Sequence, residues 1–277
     1  MKLSNIMNLG KRKISFGSGR AVKIAIVSDL HTEYESYPSS TNYSDIGKNA
    51  DIIVLAGDIG TGTNALPLIS RLAKDKPVVY VLGNHEFYRH NVGQVYKDWH
   101  DHAAGIPNLH VLQNETADIY GIRFIGATLW TNLAEGRDIG AAKYLMNDYN
   151  RIEDWTPRRS MLEFEISKNF IQQELKRATQ VEQPTVVVTH HLPTFQAIHP
   201  DYQSQSGINS SFASDLEAII LDHQPLLWIF GHTHKSMNFT IGQTRLLCNP
   251  RGYPQSISSS ENPLFDLKFQ VEVGGGK

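Results

Sequence analysis

The stretch "VVYVLGNHEFYRH", Val78 to His90, decides the fold. Its first residues, Val78 to Leu82, are β-branched, aromatic or aliphatic and read as a buried strand, which Gly83 ends with a permissive backbone. The strand then runs straight into Gly-Asn-His-Glu, and two readings are open. Either Asn84 caps a turn and His85 and Glu86 are solvated, or the polar residues stand there because a ligand does. The fragment alone does not choose between them.

The rest of the chain repeats the pattern. Val22 to Val27 and Ile52 to Ala56 are short apolar runs that also end in Asp or Gly, with helical or loop segments between them, which is the grammar of an α/β fold. In "TNALPLISRLAKDKP", Leu66, Ile69, Leu72 and Ala73 recur at helical spacing and Pro77 closes the segment. Further strands are predicted at Leu109 to Leu112, Ile122 to Thr128, Thr185 to Thr189 and Leu226 to Phe230. A helix is predicted from "TPRRSMLEFEISKNF", with Thr156 as cap, Pro157 in the first turn and Leu162, Ile166 and Phe170 as its apolar stripe. "NFTIGQTRLLCNP" and "FDLKFQVEV" alternate at period two, the former turning at Gly242-Gln243, and predict antiparallel strands completing a second sheet. The expected organisation is a loose leader over residues 1–20 and one domain over 21–277.

Bulk properties exclude several classes. Hydrophobic residues are 40% and charged residues 19% of the 277, which fits a soluble globular chain rather than a disordered one or a coiled coil. The net charge of −2 advertises neither nucleic acid nor an anionic membrane as partner. Cys248 is the single cysteine, so no internal disulfide forms, and a reducing compartment is expected. Lys11, Arg12, Lys13 and Arg20 charge the start without a continuous apolar core after them, and no run is long enough to cross a bilayer. The expected location is the cytoplasm.

The chemistry gathers at the strand ends. "VSDLH" supplies Asp29 and His31, "LAGD" Asp58, "LGNHE" Asn84 and His85, "VVTHH" His190 and His191, and "IFGHTH" His232 and His234. A turn after a strand needs Asn, Asp or Gly but has no use for histidine, and most of these residues are histidines. Imidazole and carboxylate without thiolate is a donor mixture for Mn, Fe, Zn, Ni or Co rather than for a structural zinc knot. Asp29 and His31, like His232 and His234, are one residue apart, so on extended backbone they would project the same way. Taken together, these ends answer the opening question in favour of a metal and its substrate.

The set D-x-H, G-D, G-N-H-E, H and G-H-x-H, spread from Asp29 to His234, resembles the calcineurin-like metallophosphoesterases. The resemblance implies an α/β fold, a four-layer α/β/β/α sandwich of two mixed sheets flanked by helices, with two divalent metal ions at the carboxyl ends of the strands. It implies that Asp29, His31, Asp58 and His234 hold one ion and Asp58, Asn84, His190 and His232 the other, with Asp58 bridging. His85, not a ligand in that pattern, would protonate the leaving oxygen or stabilise developing charge while a metal-bound hydroxide attacks phosphorus in line. A small phosphoester is the implied partner, and nucleic acid is disfavoured by the near-neutral charge.

Other residues carry weaker signals. His191 would orient its neighbour or touch substrate, or face the opposite side; Arg251 in "CNPRGY" would contact phosphate, or pack into its turn. Glu86 reads as a helix-start acid or an orienter, and Cys248 as a small hydrophobe. "MNDYNRIEDW", Met146 to Trp155, mixes polar and aromatic residues in a way that suits a substrate rim. The chain departs from the protein Ser/Thr phosphatase branch after Asp58, where "IGTGTN" stands in place of an Asp-Arg-Gly continuation. A phosphodiesterase acting on small substrates is therefore expected, with a phosphomonoesterase, a protein phosphatase or a non-catalytic scaffold as alternatives.

Overall fold

A computed structural model describes residues 20–35, 43–204, 207–256 and 259–274; the expected leader lies outside these except for Arg20. In chain order the regular elements begin with β1 (Val22–Val27), β2 (Ile52–Ala56), α1 (Leu66–Leu72), β3 (Val78–Val81), α2 (Val92–Ala104) and β4 (Leu109–Val111). They continue with β5 (Glu115–Ile119), β6 (Ile122–Ala127), α3 (Ile139–Leu145), α4 (Asp148–Arg151), α5 (Pro157–Gln180) and β7 (Thr185–Thr189). The last are α6 (Glu217–His223), β8 (Leu227–Ile229), β9 (Met237–Ile241), β10 (Thr244–Cys248) and β11 (Gln270–Val273).

One sheet has the order β11-β1-β2-β3-β4 and the other β5-β6-β7-β8-β10-β9. Within each, the central strands run parallel, and antiparallel strands close three edges: β11 on the first sheet, β5 and β9 on the second. Period-two alternation sorts the side chains into layers. Ile24, Ile26, Ile52, Val54, Val79 and Val81 of the first sheet meet Phe124, Val186, Val188, Ile229 and Leu247 of the second in one apolar cluster. The intervening residues face outward under helices: Tyr80 packs edge-on against Trp99 of α2 at 4.9 Å. Each fully buried Val, Leu or Ile of this kind contributes about 1.5–3 kcal/mol relative to exposure. The result is the expected α/β/β/α sandwich of two mixed sheets.

Two local expectations are corrected. Thr156 does cap α5, its hydroxyl accepting from the Arg159 amide, but two of the three predicted stripe residues face water: Leu162 is 60% and Ile166 46% exposed, while Phe170 packs half-buried against the core. The buried face includes Phe164, Ser167, Ile171, Leu175 and Ala178, and lies roughly one position, or about 100°, around the helix from the predicted line through Ile166. Of the two alternating C-terminal segments, β9 and β10 form the predicted hairpin at Gly242-Gln243. The other, β11, joins the first sheet beside β1 instead, its Val271 and Val273 filling the inter-sheet core next to Ile24 and Val22. Among the described residues no helix is long and apolar enough to cross a membrane.

Candidate metal centre

Every chemically marked residue found at a strand end follows the carboxyl end of β1, β2, β3, β7 or β8. The local backbone there is unusual. Asp29, His31, Asp58, His232 and His234 have φ of 52°, 50°, 55°, 66° and 51°, in the left-handed region that side chains other than glycine seldom adopt. The pairs Asp29/His31 and His232/His234 are thus brought together by tight left-handed turns, not by the extended alternation expected of them. The glycines of the motifs make room for this crowding. A Cβ on Gly57 would lie 2.3 Å from His190 Nδ1, and one on Gly83 2.1 Å from Asp58 Oδ1.

Three donor groups result among the described residues: Asp29, His31 and His234 in one, Asp58, His190 and His232 in a second, and His31, Glu33 and His85 in a third that shares His31 with the first. In the first, His31 Nε2 and His234 Nε2 are 3.0 Å apart and His234 Nε2 is 3.5 Å from Asp29 Oδ1. In the second, His190 Nε2 is 3.0 Å from Asn84 Oδ1 and 3.4 Å from Asp58 Oδ2. Asp58 Oδ2 also lies 3.8 Å from His31 Nε2, between the first two groups. Metal–nitrogen bonds of about 2.0–2.1 Å at right angles put two donors of one ion about 3 Å apart, which is the spacing found. His232 Nε2 is buried with no hydrogen-bond partner, so as a lone pair it is open to a donor or to a Lewis acid such as a cation. Both observations fit a site for divalent ions.

A further set of residues braces these donors. His190 Nδ1 donates to the Ala56 carbonyl at 2.9 Å, which leaves Nε2 facing Asp58 and Asn84. Asn84 donates to Asp148 at 2.8 Å, fixing its amide so that the oxygen points to His190. Glu86 is fully buried and accepts from the amides of Asp58, Ile59 and Gly83 and from the Tyr80 hydroxyl, so it ties two of the strand-end loops together. Glu33 Oε1 accepts from His85 Nδ1 at 2.9 Å and from His31 Nδ1 at 3.1 Å. Burial raises its pKa, but the hydrogen bonds from the two imidazoles outweigh burial and bring it down to about 2. An ionised carboxylate only accepts, so it fixes Nδ1–H on both rings and leaves each Nε2 free to face the centre. Burial lowers the pKa of His85, yet the Asp58 charge and the Glu33 bond raise it overall.

Sequence reasoning passed over Glu33, Asp148, Glu261 and Tyr253. Glu261 accepts from His234 Nδ1 at 2.7 Å, and the Tyr253 hydroxyl sits 3.2 Å from His85 Nε2. Glu33 left a local signal as the acid two residues after His31 in "DLHTE"; Asp148 and Tyr253 lie inside segments already marked, "MNDYNRIEDW" and "CNPRGY", without being singled out there. Replacing Glu33 with alanine is expected to lower turnover or metal affinity by roughly 10–100-fold, as loss of a ligand-orienting carboxylate typically does. Metal per chain and kcat measured on one preparation check this, and an unaltered pair of values would count Glu33 out.

A cavity of about 290 Å³ opens onto the centre and is lined at that end by Asp58, Asn84, His85, His232 and His234. Met146 and Asn147, from the expected rim segment, also line it. The two expected substrate contacts do not. His191 is buried, with Nδ1 at 3.2 Å from the Thr128 carbonyl and its ring 4.4 Å from that of His232; burial drives its pKa to about 3. Arg251 is buried as well, its guanidinium bonded to the Leu30 carbonyl at 2.9 Å, the Tyr43 hydroxyl at 2.8 Å and Glu35 at 2.5 Å. Its turn directs it into the protein, where it ties Leu30 and Glu35, just after β1, to Tyr43, before β2.

Two mixed sheets that present clustered Asp, Asn and His donors beside a cavity define a metal-dependent hydrolase of phosphoesters. The family model for calcineurin-like phosphoesterases matches residues 22–236, and the chain belongs to that family. The uncharacterized protein L509 of Acanthamoeba polyphaga mimivirus is 29% identical over 262 residues, 82% of this chain and 90% of its own. The crystal structure of the phosphopantetheinyl hydrolase of Mycobacterium tuberculosis is similar with a TM-score of 0.63 at 17% identity, over 90% of this chain and 99% of that one, a likeness of fold.

Proposed function

We propose that this protein hydrolyses small phosphodiesters in preference to phosphomonoesters or phosphoproteins. The observation that carries this reading is the absence of any lysine or arginine among the described residues lining the cavity. A monoester dianion concentrates more charge on its non-bridging oxygens, and sites that select it add forked guanidinium donors. Here the candidates are engaged elsewhere: Arg251 as described, Arg123 with Asp118 and Glu174, and Arg137 with the Ala134 carbonyl. Two cations border the cavity without lining it: Arg151 lies over the ring of the lining residue Tyr88 at 5.6 Å, and Lys235, paired with Asp201 at 3.6 Å, lies 6.0 Å from the Tyr202 ring.

In this reading Asp29, His31, Asp58 and His234 hold one divalent cation, and Asp58, Asn84, His190 and His232 hold the other, Mn, Fe, Zn, Ni or Co being suited to the donors. Bound there, the cations supply Lewis acidity toward the phosphoryl oxygens and lower the pKa of water at neutral pH. Asp58, between the two groups, offsets their mutual repulsion. Asn84 contributes a neutral oxygen that Asp148 keeps in place. His85, with Nδ1 fixed by Glu33 and Nε2 toward the cavity, delivers a proton to the departing alkoxide. A reducing, cytoplasmic setting, suggested by the lone Cys248, completes the proposal.

The test compares kcat/KM for bis-nitrophenyl phosphate and nitrophenyl phosphate on one metal-loaded preparation, corrected for intrinsic reactivity. The diester is expected to be the better substrate. A strong monoester preference, or efficient dephosphorylation of phosphopeptides, would overturn the diesterase assignment and leave the family unaffected.

A further inference from the structure

The cavity is larger than a phosphoryl group requires, since a liquid water takes only about 30 Å³ and about 290 Å³ is open. Its two ends differ in chemistry. The end formed by the strand loops carries the metal donors. The opposite wall is built by Leu145, Met146, Ile198, Tyr202, Ile208 and Phe212, from the end of α3 and from the connection between β7 and α6. The two ends are continuous: the Phe212 ring lies against His232, with centroids 4.7 Å apart and planes tilted by 33°. Any group on a phosphoryl oxygen that leaves the donor cluster on this side passes directly onto the Phe212 face.

The wall offers apolar surface and few polar partners. Met146 and Ile198 are almost fully buried although they border the cavity, while Leu145 is 61% exposed at its edge. Asn147 and Asn209 offer neutral amides; among the described residues no lysine or arginine lines the wall, His199 is its one imidazole outside the donor end, and Lys235, near the Tyr202 ring, is paired with Asp201 at 3.6 Å. A charged arm brought here would lose hydration without gaining a partner, whereas an apolar arm gains about 25 cal/mol for each Å² it removes from water. Pockets that bind small molecules follow the same plan, an apolar body with a few placed polar groups.

From this we infer that the preferred substrates carry, on one ester oxygen, an uncharged and largely apolar organic group that occupies the wall from Phe212 to Leu145. The inference rests on the phosphodiesterase reading and names the second alcohol of the diester. It predicts selection by size and polarity of that alcohol, separately from the chemistry at phosphorus.

The experiment uses nitrophenyl phosphodiesters whose second alcohol is methyl, butyl, octyl or a carboxylated butyl group, so that the leaving group is constant. For the manganese-loaded protein kcat/KM is expected to rise about threefold to fourfold per methylene until the wall is filled. The carboxylated arm is expected to fall below plain butyl. In parallel, titration calorimetry with methylphosphonate monoesters of the same alcohols reads affinity without turnover, and Kd is expected to fall along the series. Leu145→Glu with Ile208→Glu, at partly exposed positions, is expected to flatten both slopes while circular dichroism and metal content stay those of the parent. Rates and affinities independent of chain length, with the methyl ester still cleaved, would overturn the apolar arm and spare the hydrolase reading. Affinity that rises with chain length without turnover of any member would uphold the wall and sink the diesterase.

Discussion

Chelation is expected to abolish hydrolysis by this protein, and reloading with manganese or another borderline divalent ion to restore it. This is the largest effect expected. The donors at the strand ends are imidazoles, carboxylates and one amide oxygen, with no thiolate among them, and His232 Nε2 and the facing His31 and His234 nitrogens are arranged for ions rather than for each other. Attack on phosphorus at neutral pH needs a nucleophile that free water, with a pKa of about 15.7, does not provide, and a divalent ion brings that value to about 7. In the proposed reading His85 serves the departing oxygen, and Glu33 and Glu86 are both engaged as hydrogen-bond acceptors, so neither is placed to supply the nucleophile. Metal content by elemental analysis, followed against rate through removal and single-metal reloading, is the measurement. Full turnover by metal-free protein would sink the proposal.

The second large effect belongs to His85. His85→Ala is expected to lose ~10²–10⁴-fold in kcat while keeping both ions, because general acid catalysis is worth about that much and the ligand residues remain. The geometry separates the two roles: Nδ1 is held by Glu33, the backbone amide is held by Asp58 Oδ1 at 2.8 Å, and Nε2 faces the cavity. The loss should be greatest for esters with poor leaving groups and least for nitrophenolate, which departs without a proton. Equal loss of metal and rate would reassign His85 as a ligand.

How much of this was legible in the sequence depends on range. The strand-end residues announced themselves because each follows a run of buried β-formers, where histidine has no structural use. The glycines of the same motifs were read as turn residues, yet their necessity is steric and long-range: Gly57 and Gly83 clear space for His190 and Asp58. Asp148, Tyr253 and Glu261 lie far along the chain from the histidines and asparagine they support, and only folding brings them into reach. Strand β5 went unread because "ETADI" has only Ala117 and Ile119 to bury, as suits an edge strand. The sheet to which β11 belongs was misread for a related reason, since alternation tells which face is buried but not which neighbour it joins.

Asp29, His31, Asp58 and Asn84 extend from one sheet, and His190, His232 and His234 from the other. Ions bound among them would act as rivets through two plates already joined at this edge by hydrogen bonds, from His190 Nδ1 to the Ala56 carbonyl and from the His232 amide to Asp29. A ligand that binds only the assembled form stabilises it by about 2.7 kcal/mol at a hundred times its Kd. Metal affinity and the seating of the sheets are then two readings of one quantity. Trimming one carbon from the distant interface, as in Ile26→Val, or two, as in Val188→Ala, should loosen the ions without touching a ligand, so that a metal titration becomes a gauge of how well two β-layers are pressed together.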